Sequence, residues 1–235
     1  YTNSCGCFTM SLFPIFAPTT VTPVTSTWIS GAVRNNVSED PSTFSGQNIG
    51  TASAGRKVVV GVFVNQAGGM GAYEISATLG GDAMTQLLLF RNAANNAMSI
   101  AFFSLDVSSG TSADIAISAA GGGETGGRKG IAVWDVQGAA ATIHDSAGVD
   151  STNTTTISMD CEANGTIIAV GGGYIGDASY TIGNLTKRYN EEIISSMSFH
   201  GSSDDFSAAQ SGLSITANAN QNENNLLAAI SFSPA

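Results

Sequence analysis

The chain has 235 residues, 43% of them hydrophobic and only 11% charged, with 28 glycines and a net charge of −10. That hydrophobic share excludes global disorder, and the acidic balance argues against docking to phosphate backbones or anionic membranes. No stretch approaches the ~20 apolar residues of a membrane-spanning helix, and Leu12–Pro18, short and without a preceding basic residue, does not read as a signal peptide.

Residues 1–26 stand apart. They carry no charge and hold three of the five prolines, Pro14, Pro18 and Pro23. Proline fixes φ and removes a donor, so this stretch reads as an extended N-terminal arm. Its apolar side chains, Phe8, Leu12, Phe13, Ile15 and Phe16, form an interaction arm that packs on a neighbouring subunit or particle, or back on its own domain. Cys5 and Cys7 flank one glycine, a spacing that disfavours their pairing, and Cys161 precedes a turn. Three free thiols from a reducing compartment are expected.

Strands are predicted at Trp28–Val33, Thr43–Ile49, Lys57–Val64, Tyr73–Leu79, Met84–Phe90, Met98–Val107, Asp114–Ala119 and Ile131–Val136. The run Val-Val-Val-Gly-Val-Phe-Val after Lys57 is short and β-branched, as in a strand buried on both faces. Gly80-Gly81-Asp82 signals a hairpin. No strand is predicted between Val136 and Thr154. Further strands follow at Thr154–Met159, Thr166–Val170, Tyr180–Ile182, Asn184–Asn190, Ser196–His200, Leu213–Ala217 and Leu226–Phe232. Single helical turns are allowed at Glu191–Ile194 and Ala208–Gln210.

These phrases occur twice in one order. Lys57-Val-Val-Val-Gly-Val answers to Thr166-Ile-Ile-Ala-Val-Gly, Met98-Ser-Ile-Ala-Phe-Phe to the stretch Ser196-Met-Ser-Phe-His, and Ile131-Ala-Val-Trp to Leu226-Leu-Ala-Ala-Ile. A jelly-roll-like antiparallel β-sandwich built from two pseudo-repeats is expected, with the arm at 1–26, the first pseudo-repeat at 27–138 and the second at 139–235. Whether each half is its own sandwich or both interleave into one is left open. Charge is uneven: 27–138 hold six basic and eight acidic residues, 139–235 two and ten.

Several phrases resemble a β-sandwich module of tailed-bacteriophage virion proteins. They are Ile49-Gly-Thr-Ala-Ser-Ala-Gly-Arg-Lys-Val-Val-Val-Gly-Val, Ala77-Thr-Leu-Gly-Gly-Asp-Ala, Leu105-Asp-Val-Ser-Ser-Gly-Thr, Ile131-Ala-Val-Trp-Asp-Val-Gln-Gly, Asn184-Leu-Thr-Lys-Arg-Tyr-Asn and Leu227-Ala-Ala-Ile-Ser-Phe-Ser-Pro. The resemblance spans residues 28–235 and implies a capsid decoration or cement protein, or a tail or fibre component. It brings no catalytic residues with it.

Motifs that could carry chemistry fall short. Gly121–Gly130 is glycine-rich, but Lys129 is followed by Gly130 and a strand, not by Ser or Thr and a helix, so it fails as a phosphate loop. His144 precedes Asp145, and His200 precedes Gly-Ser-Ser-Asp-Asp, yet no Gly-x-Ser-x-Gly elbow accompanies them. His200 falls in the phrase matching Phe103 and reads as structural. Glu191-Glu192 and Asp204-Asp205 are adjacent pairs that point to opposite faces of a strand; Asp177, Asp204 and Asp205 are alternatives for a surface calcium site, with solvated turn carboxylates the commoner outcome. Sequons at Asn36, Asn153, Asn164 and Asn184 are expected by chance in a chain this rich in Asn, Ser and Thr. Trp134 reads as core, while Trp28, Tyr174, Tyr180 and Tyr189 are candidate sugar-stacking aromatics.

The resulting expectation is a non-enzymatic virion structural protein on the capsid surface or tail, with no catalytic residue, cofactor or metal. Its partners would be the major capsid protein or other virion proteins, not nucleic acid or membrane. It would be a homo-oligomer, with a trimer by analogy. The alternative is a tail-fibre or receptor-binding module for host surface glycans.

Overall fold

The computed structural model describes residues 21–36, 38–66, 74–92, 98–120, 127–152, 154–174, 181–218 and 224–235. Seventeen strands and no helix occur among them. In the first half these are β1 (Thr25–Arg34), β2 (Ser42–Asn48), β3 (Lys57–Asn65), β4 (Glu74–Leu79), β5 (Asp82–Ala83), β6 (Thr85–Arg91), β7 (Met98–Asp106), β8 (Ser112–Ala120) and β9 (Arg128–Gln137). The second half contributes β10 (Asp145–Thr152), β11 (Thr154–Cys161), β12 (Gly165–Gly173), β13 (Thr181–Gly183), β14 (Lys187–Ile194), β15 (Met197–Phe206), β16 (Gln210–Asn218) and β17 (Asn224–Phe232).

All pairing is antiparallel, in four sheets. The first half forms a five-stranded sheet, β1-β9-β3-β7-β6, and a smaller one, β2-β8-β4-β5. The second half forms β10-β17-β12-β15-β14 and β11-β16-β13, which is the same order strand for strand apart from β5. Each half is its own sandwich, so the chain does not interleave into one. Phe44, Val58, Val60, Val62, Ile115 and Val133 fill the first; Ile157, Ile167, Ala169, Ile215, Leu227 and Ala229 fill the second. A third core joins them, because the two five-stranded sheets pack face to face. It contains Val59, Phe63, Phe102 and Trp134 from one half and Ile168, Val170, Phe199 and Ile230 from the other. Four layers result.

This stacking explains the composition of the central strands. A strand in the middle of a two-layer sandwich alternates core and solvent. In β3 even-numbered valines face one core, and Val59 and Phe63 face the other, so all nine residues are buried. β12 is buried along its whole length for the same reason.

The central interface is built on glycines. A Cβ on Gly61 would lie 2.6 Å from Val170 Cγ1, and one on Gly172 would lie 2.7 Å from Phe63 Cδ2. Gly61 and Val170 hold equivalent places in β3 and β12, as do Phe63 and Gly172, so each half inserts one side chain where the other has none. The pattern repeats outward. Phe199 covers Gly130, Trp134 covers Gly201, Tyr189 covers Gly31, and Phe90 covers Gly148. None of these six glycines has positive φ; they are needed for space, not for conformation. The covering residues Phe90 and Tyr189 sit on edge strands β6 and β14, and a bulge interrupts each strand at the corresponding place, between Gln86 and Leu88 and between Lys187 and Tyr189.

Most predicted strands are present with moved ends. Gly80 and Gly81, both with positive φ, turn β4 into β5 as the Gly-Gly-Asp signal implied. Four expectations are corrected. Glu191–Ile194 is strand, not a helical turn, because β14 pairs with β15 throughout. Asn184, at φ 66°, begins a turn and β14 starts at Lys187. β10 lies in the stretch where no strand was predicted; it is an edge strand with only partial burial and a glycine in its centre. The arm gives up its last residues to the body: β1 begins at Thr25, and Val24 is buried in the central core.

The short turns around Gly50, Val107, Gly138, Asn164 and Phe206 gather at one pole, where the described chain also begins and ends: Val24 N–H donates to Asn164 O, and Ala235 N–H to Gly138 O. The strand ends Asn65, Met98, Arg128, Gly173 and Asn224 lie at the other pole, where Asn65 Nδ2 donates to Tyr174 Oη across the halves at 3.2 Å.

Gly172→Val should destabilise the fold by about 1–3 kcal/mol through overpacking, with Phe63→Ala in the same chain recovering part of the loss. Gly183→Ala, whose Cβ would meet only Thr216 at 3.7 Å, should change stability little. Chemical denaturation of the variants measures all three.

Candidate functional site

The five arm residues proposed for interaction, Phe8, Leu12, Phe13, Ile15 and Phe16, lie outside the described residues, as do Cys5, Cys7, Asn153, Asp177 and Tyr180. What the structure does describe is the arm's base. Val24 is buried between the two halves. Thr25 pairs with Gln137 in the first half. Ser26 donates from both N–H and Oγ to Asp205 Oδ1 in the second half, at 3.0 and 2.8 Å, and its Oγ also accepts from Thr166 Oγ1 at 2.8 Å. The segment is thus held by both halves where it enters. Grooves flank it: one of about 460 Å³ lined by Val21, Glu162, Ala163, Asn164, Ala209, Pro234 and Ala235, and one of about 250 Å³ beside Pro23, Val24 and Phe206.

The charged residues singled out in the sequence serve the fold. Lys129 is fully buried and donates to Asp40 Oδ1, Glu39 O and Ser42 Oγ at 3.0–3.1 Å. It faces into the first sandwich, so it offers nothing to a phosphate. Burial alone would raise the pKa of Asp40, but the Ala119 N–H, the Ser118 hydroxyl and Lys129 outweigh it and hold the carboxyl below its usual range.

Asp204 and Asp205 diverge. Asp205 takes Ser26, while Asp204 accepts from Thr186 N–H at 2.8 Å and from Arg188 at 3.4 Å. They are not brought together as a calcium site. Among the described residues no three His, Cys, Asp or Glu side chains converge. Glu191 accepts from the Tyr189 hydroxyl on the same strand.

Sequence reasoning missed Arg56, the largest charged side chain buried in the molecule. Its guanidinium donates to five carbonyls: Val107 O, Ile49 O, Gly50 O, Ser109 O and Gly110 O, at 2.7–3.3 Å. Two loops, around Gly50 and Ser109, are tied by one planar fork. Its charge also acts on Asp135, whose pKa burial raises against the opposing pull of Gln137 and Arg56. Nothing in the phrase Gly55-Arg56-Lys57 separates this residue from an ordinary turn cation; three of the five carbonyls come from a loop more than fifty residues away.

His200 is fully buried, facing the second sandwich, with Nε2 3.2 Å from Ser198 Oγ. The pair has the spacing of a nucleophile and base, but both residues are closed to solvent, at 0% and 2% exposure. Strand register equates His200 with Ala101, not with Phe103: His200 stands opposite Gly171 and Ala101 opposite Val62, the matching places in β12 and β3. Burial, with a smaller push from Lys187, lowers its pKa to about 3. His144 is part-exposed, 3.7 Å from Glu162. Cys161 is buried and unpaired by disulfide, its thiol pushed up to about 11 first by burial and then by Glu162 and Asp205, which leaves it a poor nucleophile.

The aromatics are committed to packing. Trp134 is in the core, as expected, and donates to Ser203 Oγ across the interface at 3.2 Å. Trp28 stacks on Tyr189 at 6.0 Å between centroids, and Tyr174 is half-buried against the central core. Of the sequons, Asn36 lies in an exposed loop, whereas Asn164 and Asn184 occupy positive-φ turns.

Two outcomes follow. Replacing Arg56 by Met should cost about 3 kcal/mol, because five hydrogen bonds from a charged group are lost and the buried Ile49 carbonyl loses its donor, and Arg56→Lys should recover less than half of it, since an ammonium cannot span the fork; equilibrium unfolding reads both. His200 is neutral in the fold and protonates in the unfolded chain, so stability is fully present above pH ~6.5 and declines as pH falls towards 3. His200→Gln should flatten that slope, leaving the steeper loss below pH ~4 as Asp40 protonates, which denaturation across pH would show.

No protein-family model, curated protein or solved structure matches this chain, so its function is argued from its residues and geometry.

Proposed function

We propose that the chain is a non-enzymatic structural protein of a bacteriophage virion, a decoration or cement protein that binds the head and stabilises it. One observation carries the reading: the N-terminal segment enters a body whose two halves both grip it, through Val24, Thr25 and Ser26. Load on the arm passes into both sandwiches and not into a hinge. The arm's uncharged, apolar sequence suits burial against another protein surface. Binding only the assembled shell favours that shell by mass action. The acidic second half supplies a solvated, like-charged outer surface.

A second reading, a tail-fibre or receptor-binding module for host glycans, draws on the opposite pole. The strand ends Asn65, Arg91, Ala120, Gly173 and Asn218 face that pole, away from Val24 and Ala235. Recognition residues concentrate on loops over a rigid scaffold. The position of the chain in an electron-microscopy map of the virion, on the head or on the tail, separates the two.

Deletion of residues 1–20 is the direct test, because residues 21–26 belong to the body. The truncated protein should melt as the full chain does and fail to occupy particles at concentrations where the full chain saturates them. Undiminished occupancy would contradict the anchoring role.

A further inference from the structure

Among the described residues Val21 is the one large apolar side chain left exposed, at 53%. It lies on the lip of the 460 Å³ groove, whose other walls are mostly small and apolar: Ala163, Ala209, Pro234 and Ala235. Exposed apolar surface is therefore concentrated where the first twenty residues join the body. Those residues carry Leu12, Phe13, Ile15 and Phe16.

The sequence says which copy's arm can reach this groove. From Phe8 to Ser26 there is no Gly, Asn or Asp, the residues that reverse a chain most readily. Pro14, Pro18 and Pro23 fix their own φ and press the preceding residues towards extended backbone, and Thr19, Thr20, Val21 and Thr22 are β-branched in a row. Five residues of extended backbone, the separation of Phe16 from Val21, reach roughly 16 Å. That composition favours an arm that leaves the groove Val21 itself lines over one that turns back into it. A neighbouring molecule presents the same groove without that constraint.

We propose that the groove formed by Val21, Ala163, Ala209 and Pro234 receives the Leu12–Phe16 stretch of a second copy of this chain, so that copies exchange arms. The contact joins arm to groove; exchanged both ways it makes a twofold pair, and passed on head to tail it closes as a ring. The arm is uncharged, so it lies beside Glu162 without repulsion, whereas the bodies, each at −10, repel. Added salt screens that repulsion and should strengthen the association.

The experiment is complementation followed by light scattering. One variant keeps the groove and lacks the arm's anchors (Phe13→Asp with Phe16→Asp). The other keeps the arm and blocks the groove (Ala209→Arg, or Ala163→Glu should the first fail to fold). Both altered groove positions are exposed, so the body should melt unchanged. The full chain should run as a multiple of 23.8 kDa; each variant alone should run as a monomer, and the equimolar mixture should form a one-to-one complex. A monomeric full chain, or variants that stay monomeric when mixed, overturns the proposal. Because the measurement needs no particle, its failure and that of the virion reading are distinguishable: a monomer that still decorates particles sinks only arm exchange, and an arm-exchanged oligomer that ignores particles sinks only the decoration role.

Discussion

The molecule depends on how closely two β-sheets approach each other. Sheets that present full side chains to one another settle about 10 Å apart. Here glycines lie opposite six side chains at the contact, as Gly61 does for Val170 and Gly172 for Phe63. The side chains fill the space that the glycines leave, and the halves interlock instead of merely touching. Reciprocity makes the arrangement specific. A slip of two residues along β12 would bring Phe63 against the place of Val170 or of Tyr174, which carry side chains on the same face, so register between the halves is fixed by shape as well as by hydrophobic burial.

The rest of the architecture follows from that contact. Two sandwiches joined through their larger sheets have their smaller sheets outermost, and the polar residues of those outer sheets face solvent. The buried cations sit at the margins of the first sandwich, where Arg56 closes one pole and Lys129 ties β9 to the turn before β2. In the second half the place of Arg56 falls to Gly165, where a Cβ would lie 2.6 Å from Phe232 O. The two copies of the scaffold thus share a strand plan and differ in how they seal their ends, and the arm enters against the end that carries Asn164 and Asp205.

Legibility in the sequence tracked burial. β3, β12 and β17 read as strands because both faces are buried and their apolar runs are unbroken. β10 did not, because its centre is a glycine that makes room for Phe90, and only the half-buried Ala147 and Val149 beside it are apolar. Glu191 and Glu192 suggested a helical turn because an edge strand with one wet face keeps little β pattern. The repeat was visible as phrases, but the glycines that join its halves looked like ordinary strand interruptions; only the facing sheet shows what they are for. Arg56 and His200 were opaque for a related reason: one is explained mostly by carbonyls from a distant loop, the other by a layer of sheet above it.

The central claim is that the two halves and the base of the arm form one cooperative body, interlocked at the glycine contacts. Native-state hydrogen exchange tests it most directly. The amides of β3 and β12 should open with one shared free energy, the highest in the molecule, and the amides of Val24 and Ser26, bonded to Asn164 and Asp205, should open with them. Separate opening energies for the two halves, or early exchange at Val24 and Ser26 while both sandwiches stay closed, would contradict it.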